Sequence, residues 1–319
     1  MKLSVIIPIF NEQGNIQKLN QELNLTLQKF NYEIIYVDDG STDNSRELLK
    51  KIAHDNANVK LILFRRNFGQ TAAMSAGFKA AKGKFLVPLD GDLQNDPNDI
   101  EKMIILAEND NYDIVSGWRK HRKDNFIRVL PSKIANILIT RISGVKLHDY
   151  GCTLKVYRAE IMKRVNLYGE MHRFIPVLAN WEGARITEMA VNHRKRFSGT
   201  SKYGMSRIFR VILQLITVKF LGDYSTKPLY FFGKISLWIF FFSLFWFGWT
   251  VWDKIMNNLS VINNVKFLIS AFGILFIGQL LSTGVMAELM TRTYYESQRK
   301  DHFNIKEMIN FDEDVKNRF

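Results

Sequence analysis

Two aspartates separated by one glycine, Asp90-Gly91-Asp92, are the residues whose types and spacing point most directly to chemistry. They follow the apolar run 85–89, which predicts a strand, and residues two apart in an extended backbone face the same way. Both carboxylates can therefore reach one cation, and oxygen ligands suit Mg²⁺ or Mn²⁺. Gly91 would leave room for a diphosphate to approach the backbone. The alternative is a solvated turn without a ligand.

Two other predicted strands also lead into acidic, turn-forming residues. The run 3–9 leads into Asn11-Glu12, and the run 33–37 leads into Asp38-Asp39-Gly40-Ser41. In an open α/β sheet, ligands bind beyond the carboxyl ends of the strands, so these residues are expected to gather near the aspartate pair. For the segment 38–41 a second interpretation stays open, in which it only turns the chain and caps the helix that follows.

Strands and helices are predicted to alternate along the first part of the chain. The expected strands are 3–9, 33–37, 59–64, 85–89 and 113–117, and the expected helices are 15–30, 43–54, 70–81 and 97–109. This alternation is typical of a mostly parallel sheet covered by helices. We therefore predict an α/β domain over residues 1–225.

The composition changes near Pro228. Residues 235–252 and 267–287 contain no charged side chain, and the first of these stretches is rich in Phe and Trp. A hydrocarbon core about 30 Å thick needs about 20 apolar helical residues. We therefore predict a hairpin of two transmembrane helices, at about 230–252 and 266–288 within region 226–290, followed by a tail over 291–319. The alternative is a pair of buried helices in a soluble domain.

Basic residues are concentrated at the outer ends of this hairpin. Lys254 and Lys266 lie in or beside its connection, whereas its outer flanks carry Lys219, Lys227, Lys234, Arg292, Arg299, Lys300 and Lys306. Since cytoplasmic flanks of membrane spans are enriched in Lys and Arg, we predict an integral plasma (inner) membrane protein. Its catalytic domain and both termini would be cytoplasmic.

The formal net charge of +13 predicts an acidic partner, either nucleic acid or an anionic membrane surface with phosphorylated substrates. The basic residues are spread along the chain without a nucleic-acid recognition motif, so we expect no nucleic-acid partner. Cys152 is the only cysteine, which excludes an intramolecular disulfide and agrees with a reducing compartment.

Three motifs resemble the catalytic domain of glycosyltransferase family 2. They are Pro8-Ile9-Phe10-Asn11-Glu12, Val37-Asp38-Asp39-Gly40-Ser41 and Asp90-Gly91-Asp92-Leu93-Gln94. Four others resemble the polyprenyl-phosphate (dolichol-phosphate) branch of that family: Arg66-Asn67-Phe68-Gly69-Gln70, Gly117-Trp118-Arg119, His148-Asp149-Tyr150-Gly151-Cys152 and residues 196–203. The resemblance covers about residues 1–225 and implies a GT-A (Rossmann-like) fold. The chain departs from the pattern at Gly91, which replaces an alanine, and at Phe10, which replaces a tyrosine.

The resemblance also implies roles for the residues that match. The donor nucleotide-sugar site would comprise Pro8, Phe10, Glu12, Val37, Asp39, Gln70, Asp90, Gly91, Asp92, Arg196 and Lys202. Mg²⁺ or Mn²⁺ would be held by Asp90, Asp92 and Gln94. The acceptor phosphate would be bound by Arg119, Arg128 and Ser132, and the catalytic set would be Asp90, Asp92, Asp149 and Arg119. Residues 118–123 could equally form a solvated basic loop, and residues 196–203 a basic linker instead of a lid.

Two amphipathic stretches, 134–142 and 207–216, each place apolar residues on one helical face. Either could lie in the membrane interface and bring the site to the lipid, or could simply face a protein core.

The predicted chemistry follows from a lipid phosphate acceptor. Its second pKa is about 6, so it is mostly dianionic at neutral pH and needs no strong general base. The protein must position it behind the sugar C1 and stabilise the departing diphosphate. We therefore predict an inverting, metal-dependent glycosyltransferase that moves one sugar from a UDP- or GDP-sugar to undecaprenyl or dolichyl phosphate, for a cell-envelope glycan. Resembling proteins include tetramers, so a homo-oligomer is compatible with this prediction.

Two other functions stay open. A processive polysaccharide synthase would be expected to carry a Gln-x-x-Arg-Trp motif and more spans, and neither is found in the sequence. A non-catalytic membrane subunit of a glycan export or flipping complex would be expected to have lost its metal ligands, whereas Asp90 and Asp92 are both present.

Overall fold

The computed structural model forms two compact units, one of Met1–Leu215 with Asp301–Phe319 and one of Ile216–Lys300. It describes residues 2–120, 136, 139–141, 143–165, 167, 171–194, 220, 224, 228–258, 260–261, 264–297 and 303–319. Four predicted site residues lie outside this part of the chain, namely Arg128, Ser132, Arg196 and Lys202. Most of stretch 134–142 and all of 207–216 lie outside it as well. The domain boundaries at 225 and 290 stay predictions.

A mixed sheet forms the centre of the first unit. Its strands are β1 (Lys2–Ile9), β2 (Asn31–Asp38), β3 (Val59–Phe64), β4 (Phe85–Pro88), β5 (Ile114–Trp118), β6 (Lys155–Arg158), β7 (Ile186–Ala190) and β8 (Ile305–Ile309). They lie in the order β7-β5-β6-β4-β1-β2-β3-β8. The neighbours from β4 to β3 are parallel, as are β5 and β7, whereas β6 and β8 run antiparallel to the strands they pair with. The predicted mostly parallel α/β fold is confirmed.

Helices connect and cover these strands. They are α1 (Ile16–Leu27), α2 (Ser45–Asp55), α3 (Gln70–Ala80), α4 (Asp99–Asn109), α5 (Ala159–Met162), α6 (Ile175–Trp181), α7 (Pro228–Asn257), α8 (Val265–Ser297) and α9 (Glu313–Lys316), with a 3₁₀ turn at Met171–Phe174. In α1 the fully buried residues Ile16, Leu19, Leu23 and Leu27 recur every three or four positions, so one face of the helix meets the core. The helix ends three residues earlier than predicted, because β2 already begins at Asn31.

Strands β1 to β3 are buried on both faces. In β1 the side chains of Val5, Ile6 and Ile7 are all fully buried, although successive side chains point to opposite sides of the sheet. Such continuous apolar strands are typical of parallel sheets that helices cover on both faces. Each buried aliphatic side chain contributes about 1.5–3 kcal/mol of transfer free energy to folding. The acidic residues therefore follow strands that are firmly packed in the core.

The end of the chain returns to this sheet as β8, which pairs antiparallel with β3. Beyond β8, Phe311 and Val315 pack into the cluster that contains Ile62 and Phe64. The sequence analysis assigned no element to residues 291–319. A five-residue edge strand with an adjacent lysine and glutamate has too weak a pattern to be recognised without its partner strand.

The second unit contains the helices α7 and α8, which are both long and apolar enough to cross a membrane. Large apolar side chains point outward from them, for example Trp238, which is 75% exposed, and such a surface suits lipid. Small polar residues of α7 recur at seven-residue spacing, namely Ser236, Ser243 and Thr250, and all are nearly fully buried. Ser243 lies against Gly273 of α8. Small residues allow helix backbones to approach closely in a membrane.

Gly273 of α8 is expected to be essential for this close approach. A Cβ atom added at Gly273 would overlap Ser243 Oγ, whereas one added at Gly278 of the same helix would have no atom within 4 Å. Gly273→Leu should therefore destabilise the hairpin by about 1–3 kcal/mol through overpacking. Thermal unfolding in detergent micelles measures this effect, with Gly278→Leu as the matched control. Equal midpoints for the two variants would contradict the packing described.

Candidate active site

Asp90 lies just beyond β4, and both oxygens of its carboxylate accept hydrogen bonds. Gln70 Nε2 donates to Oδ1 at 2.9 Å, and Thr153 Oγ1 donates to Oδ2 at 2.6 Å. Gln70 is the first residue of α3, so the helix start orients the aspartate. The structure thus brings the predicted residues Gln70 and Asp90 together. Thr153 was not predicted, although it directly follows the motif that ends at Cys152.

Asp92 sits in a tight turn on the same loop. Its side chain is nearly buried, and its Oδ1 accepts a hydrogen bond from the backbone N–H of Gln94 at 3.2 Å. Leu93 between them has φ of 62°, a left-handed conformation that is uncommon outside glycine and is found at functional turns. The backbone oxygen of Gln94 in turn accepts from the N–H of Arg194 at 2.9 Å. The turn is therefore stabilised by one hydrogen bond within the loop and one from Arg194.

The donor set of this loop fits a hard divalent cation. Asp90 and Asp92 supply carboxylate oxygens, which Mg²⁺ and Mn²⁺ prefer, and such ions commonly take their remaining ligands from substrate phosphates and water. Within the described residues, no group of three or more His, Cys, Asp or Glu side chains forms a metal site.

Gly91 lies against the end of β1. A Cβ atom added there would lie 2.7 Å from Ile9 Cδ1, 3.6 Å from Glu12 Cγ and 3.7 Å from the Pro8 carbonyl oxygen. The space that this glycine leaves is therefore directed toward β1, which differs from the sequence argument that it makes room for a diphosphate. The contact does bring the predicted donor residues Pro8 and Glu12 beside the aspartate pair.

The other predicted donor residues of β1 and β2 have structural contacts of their own. Pro8 is paired with Val37 in the register of the two strands, and the Val37 side chain is fully buried in the core. Glu12 Oε2 accepts a hydrogen bond from Asn15 Nδ2 at 2.6 Å, and its backbone N–H donates to Ser45 Oγ at 3.0 Å. Phe10 is partly buried. These contacts order the loop after β1.

Asp38 stabilises the turn formed by residues 38–41. It is fully buried, and its carboxylate accepts hydrogen bonds from the N–H of Ser41 at 3.2 Å and from Arg46 Nε at 2.6 Å. The segment therefore turns the chain. It does not cap the next helix, because α2 begins later, at Ser45.

Asp39 holds the loop between β3 and α3. Its Oδ1 accepts from the N–H of Phe68 at 2.7 Å and its Oδ2 from the N–H of Gly69 at 3.0 Å. Burial raises the pKa of Asp39 to about 6, although the two N–H groups favour the ionised form. This aspartate therefore fixes the backbone immediately before Gln70.

The raised pKa of Asp39 predicts a pH-dependent stability. In the unfolded chain the carboxyl titrates near 3.8, so between about pH 4 and 6 the folded protein binds more protons than the unfolded chain. The free energy of unfolding should therefore fall by about 3 kcal/mol as pH rises through this window and stay level above it. Thermal unfolding from pH 4 to 8, compared with Asp39→Asn, isolates this contribution. Parallel profiles for both proteins would contradict the assignment.

Arg119 and Asp149 form a buried bidentate ion pair. Arg119 Nε donates to Asp149 Oδ2 at 2.6 Å and Nη2 donates to Oδ1 at 2.9 Å, and the side chains are only 13% and 4% exposed. Asp149 Oδ1 also accepts from the N–H of Gly151 at 3.1 Å. The sequence analysis placed both residues in the catalytic set and gave Arg119 a further role at the acceptor phosphate. In the structure each orients the other.

Lys155 stabilises the turn that follows Asp149. It is almost fully buried, and its Nζ donates to the backbone oxygens of Tyr150, at 3.3 Å, and Cys152. Burial lowers the pKa of Lys155. Sequence reasoning missed this residue, because a lysine at the start of a short strand normally indicates a solvated position. Its two carbonyl contacts hold the turn that presents Asp149 and Thr153.

Arg194 joins the end of the described segment 171–194 to the aspartate loop. Its Nη2 lies 2.8 Å from Asp96 Oδ1, and its Nη1 lies 2.7 Å from Glu22 Oε2. Burial alone would raise the pKa of Asp96, but hydrogen bonds from Asn98 and the charge of Arg194 hold it below the usual value. Arg194 therefore fixes the chain just before the predicted lid 196–203.

Comparison with known proteins gives a consistent set of relatives. Residues 4–165 match the sequence family described as Glycosyl transferase family 2. The chain is 41% identical to the dodecaprenyl-phosphate galacturonate synthase of Rhizobium johnstonii over 97% of this chain and 93% of that protein. It is 34% identical to the undecaprenyl-phosphate 4-deoxy-4-formamido-L-arabinose transferase of Pseudomonas aeruginosa, over 96% of this chain and 90% of that protein.

Solved structures share the fold. One is the glucosyl-3-phosphoglycerate synthase of Mycobacterium tuberculosis in complex with Mn²⁺, uridine diphosphate and glucosyl-3-phosphoglycerate, with a TM-score of 0.55 at 15% identity. It covers 69% of this chain and 79% of that chain. Residues 1–349 of Staphylococcus aureus TarS with UDP-GlcNAc give a TM-score of 0.52 at 20% identity, over 70% of this chain and 68% of that chain.

Proposed function

The chain belongs to glycosyltransferase family 2 and is a glycosyltransferase, and we propose that it transfers one sugar from a nucleotide-diphosphate donor to a polyprenyl phosphate. The observation that carries this proposal is the aspartate pair at the carboxyl edge of the parallel strands, with Asp90 oriented by Gln70 and Thr153. Ligands of open α/β sheets bind at this edge. The two relatives named for polyprenyl-phosphate transfer align with nearly the whole chain, including the apolar helices.

Asp90 and Asp92 are the residues that would hold Mg²⁺ or Mn²⁺, with Gln94 beside them. When bound, the cation would neutralise charge on the departing nucleoside diphosphate. The Mycobacterium structure that shares this fold contains Mn²⁺ together with uridine diphosphate, which supports the choice of metal. Arg196 and Lys202 follow the anchored Arg194 in sequence, and their predicted role is to contribute positive charge to the same diphosphate.

The acceptor phosphate would itself be the nucleophile. One of its oxygens forms a bond to the sugar C1 while the bond from C1 to the diphosphate oxygen breaks, and the nucleoside diphosphate leaves with the electron pair. A single displacement inverts the configuration at C1. Arg119, Arg128 and Ser132 are proposed to position the phosphate, and Asp149 to hold the Arg119 guanidinium in the orientation that two hydrogen bonds define.

The protein is proposed to lie in the plasma membrane with its catalytic unit and both termini in the cytoplasm. The basic flanks of the hairpin support this orientation. The pairing of β8 with β3 supports it as well, because the residues after the second apolar helix rejoin the catalytic sheet. Both outer ends of the hairpin would then lie on one side of the membrane. An anionic membrane surface and a homo-oligomer stay predictions.

Mass spectrometry of lipid products tests this function. Purified protein is incubated with a short polyprenyl phosphate, Mn²⁺ and a panel of UDP- and GDP-sugars that includes galacturonate and 4-deoxy-4-formamido-L-arabinose, the two sugars in the names of the relatives. One added sugar per lipid is expected. A ladder of masses would indicate a processive synthase instead. Nucleotide binding without any adduct would favour the non-catalytic subunit.

A further inference from the structure

The loop between β3 and α3, residues 65–69, lies between two parts of the chain that are far apart in sequence. On one side it contacts the loop after β2: Asp39 accepts from the N–H groups of Phe68 and Gly69, and Asn67 Nδ2 donates to the Asp39 backbone oxygen at 3.1 Å. A Cβ atom at Gly40, which has φ of +77°, would overlap the Arg66 backbone. The approach on this side is therefore as close as backbones allow.

The other contacts of this loop come from the C-terminal segment, residues 303–319. Asn304 holds Arg65 twice: its backbone oxygen accepts from the Arg65 N–H at 3.1 Å, and its Oδ1 accepts from Arg65 Nε at 3.1 Å. Phe303 stacks on Phe64 with ring centroids 5.2 Å apart, and Phe64 meets Phe68 edge-on at 5.6 Å. The C-terminal segment thus contacts the start of the loop directly, at Arg65, and is linked to Phe68 through the ring of Phe64.

The position of this loop decides the position of residues at the active site. The loop leads directly into Gln70, whose side chain orients Asp90. It also supplies the two N–H groups that donate hydrogen bonds to the Asp39 carboxylate. A displacement of the loop would therefore disturb the donor side of the site. Arg119 and Asp149, on the acceptor side, hold each other through two hydrogen bonds and follow β5 and precede β6 in the chain, whereas the loop 65–69 follows β3.

We propose that Phe303 and Asn304 are positioning residues for the nucleotide-sugar donor, acting through the loop 65–69. This inference rests on the proposed function and deepens it, because it assigns a part of donor binding to the chain after the membrane hairpin. The family match ends at residue 165, well before this segment. Donor affinity should depend on the two residues, whereas acceptor affinity should not.

The test compares variants of the full-length protein in detergent. Phe303→Ala removes the stacked ring, and Asn304→Leu removes the side-chain acceptor, whereas Asn304→Asp retains an oxygen for Arg65. Lys306→Ala, with an exposed side chain on β8, is the matched control. Calorimetric titration with UDP and GDP gives nucleotide affinity, and initial rates give KM for the donor and for the polyprenyl phosphate.

Phe303→Ala and Asn304→Leu are each expected to weaken nucleotide binding and raise the donor KM about 3- to 10-fold, the range for one lost contact of this kind. The acceptor KM should stay within about twofold, and Asn304→Asp and Lys306→Ala should resemble wild type. Unchanged nucleotide affinity and donor KM, or equal changes in the donor and acceptor KM, would overturn this inference but leave the proposed function intact. Wild-type protein that binds neither nucleotide overturns the proposed function as well.

Discussion

Asp92→Asn is expected to abolish sugar transfer, with a fall in kcat/KM of at least about 10³-fold. The substitution keeps the size of the side chain but removes the negative charge that would hold a divalent cation beside the diphosphate. Its Oδ1 can still accept from the N–H of Gln94, so the turn at Leu93 should persist. Transfer is measured as sugar added to polyprenyl phosphate at saturating Mn²⁺.

Two controls separate metal binding from folding in this experiment. Asp110→Asn changes an exposed aspartate at the end of α4 and should leave activity unchanged. Chelation with EDTA should inactivate the wild type, and added Mn²⁺ should restore it but not Asp92→Asn. The variant should enter membranes and unfold at the wild-type temperature. Substantial transfer by Asp92→Asn would remove Asp92 from the metal site.

The elements that position the site could be predicted from sequence because their signals are local. The apolar runs of β1 to β5 and the helical period of α1 to α4 lie in windows of fewer than about 20 residues. The place of Gln70 in the same site as Asp90 came from the family resemblance and not from these local signals, and the structure adds the hydrogen bond between the two side chains.

The contacts that sequence reasoning missed depend on partners distant along the chain. Thr153 reaches Asp90 only because β6 inserts antiparallel beside β4, and no local sequence pattern predicts that pairing. Lys155 is buried only because the turn at 150–152 folds over it. β8 is a strand only because β3 offers an open edge. The sequence therefore predicted which residues form the site better than it predicted which residues they contact.

Arg119 and Asp149 illustrate this difference. Substitution of Asp149 is the second change for which we expect a large effect. Asp149→Ala should lower the free energy of unfolding by about 3–5 kcal/mol, because a nearly buried guanidinium loses the carboxylate that accepts two of its hydrogen bonds. Arg119→Lys should lose the bidentate geometry, since an ammonium group cannot reproduce the fork of a guanidinium. Thermal unfolding in detergent measures the stability of each variant.

A double-mutant cycle then separates the pair from its surroundings. If the two side chains act mainly on each other, the combined Arg119→Ala/Asp149→Ala variant should lose less stability than the sum of the single variants. The exposed pair of Lys84 and Glu108, 3.3 Å apart, provides the control, and Glu108→Ala should cost no more than about 1 kcal/mol. Acceptor KM should rise in every variant that disturbs Arg119, because its orientation depends on Asp149. Additive losses of stability together with an unchanged acceptor KM would show that the ion pair neither stabilises the fold as a unit nor prepares Arg119 for phosphate.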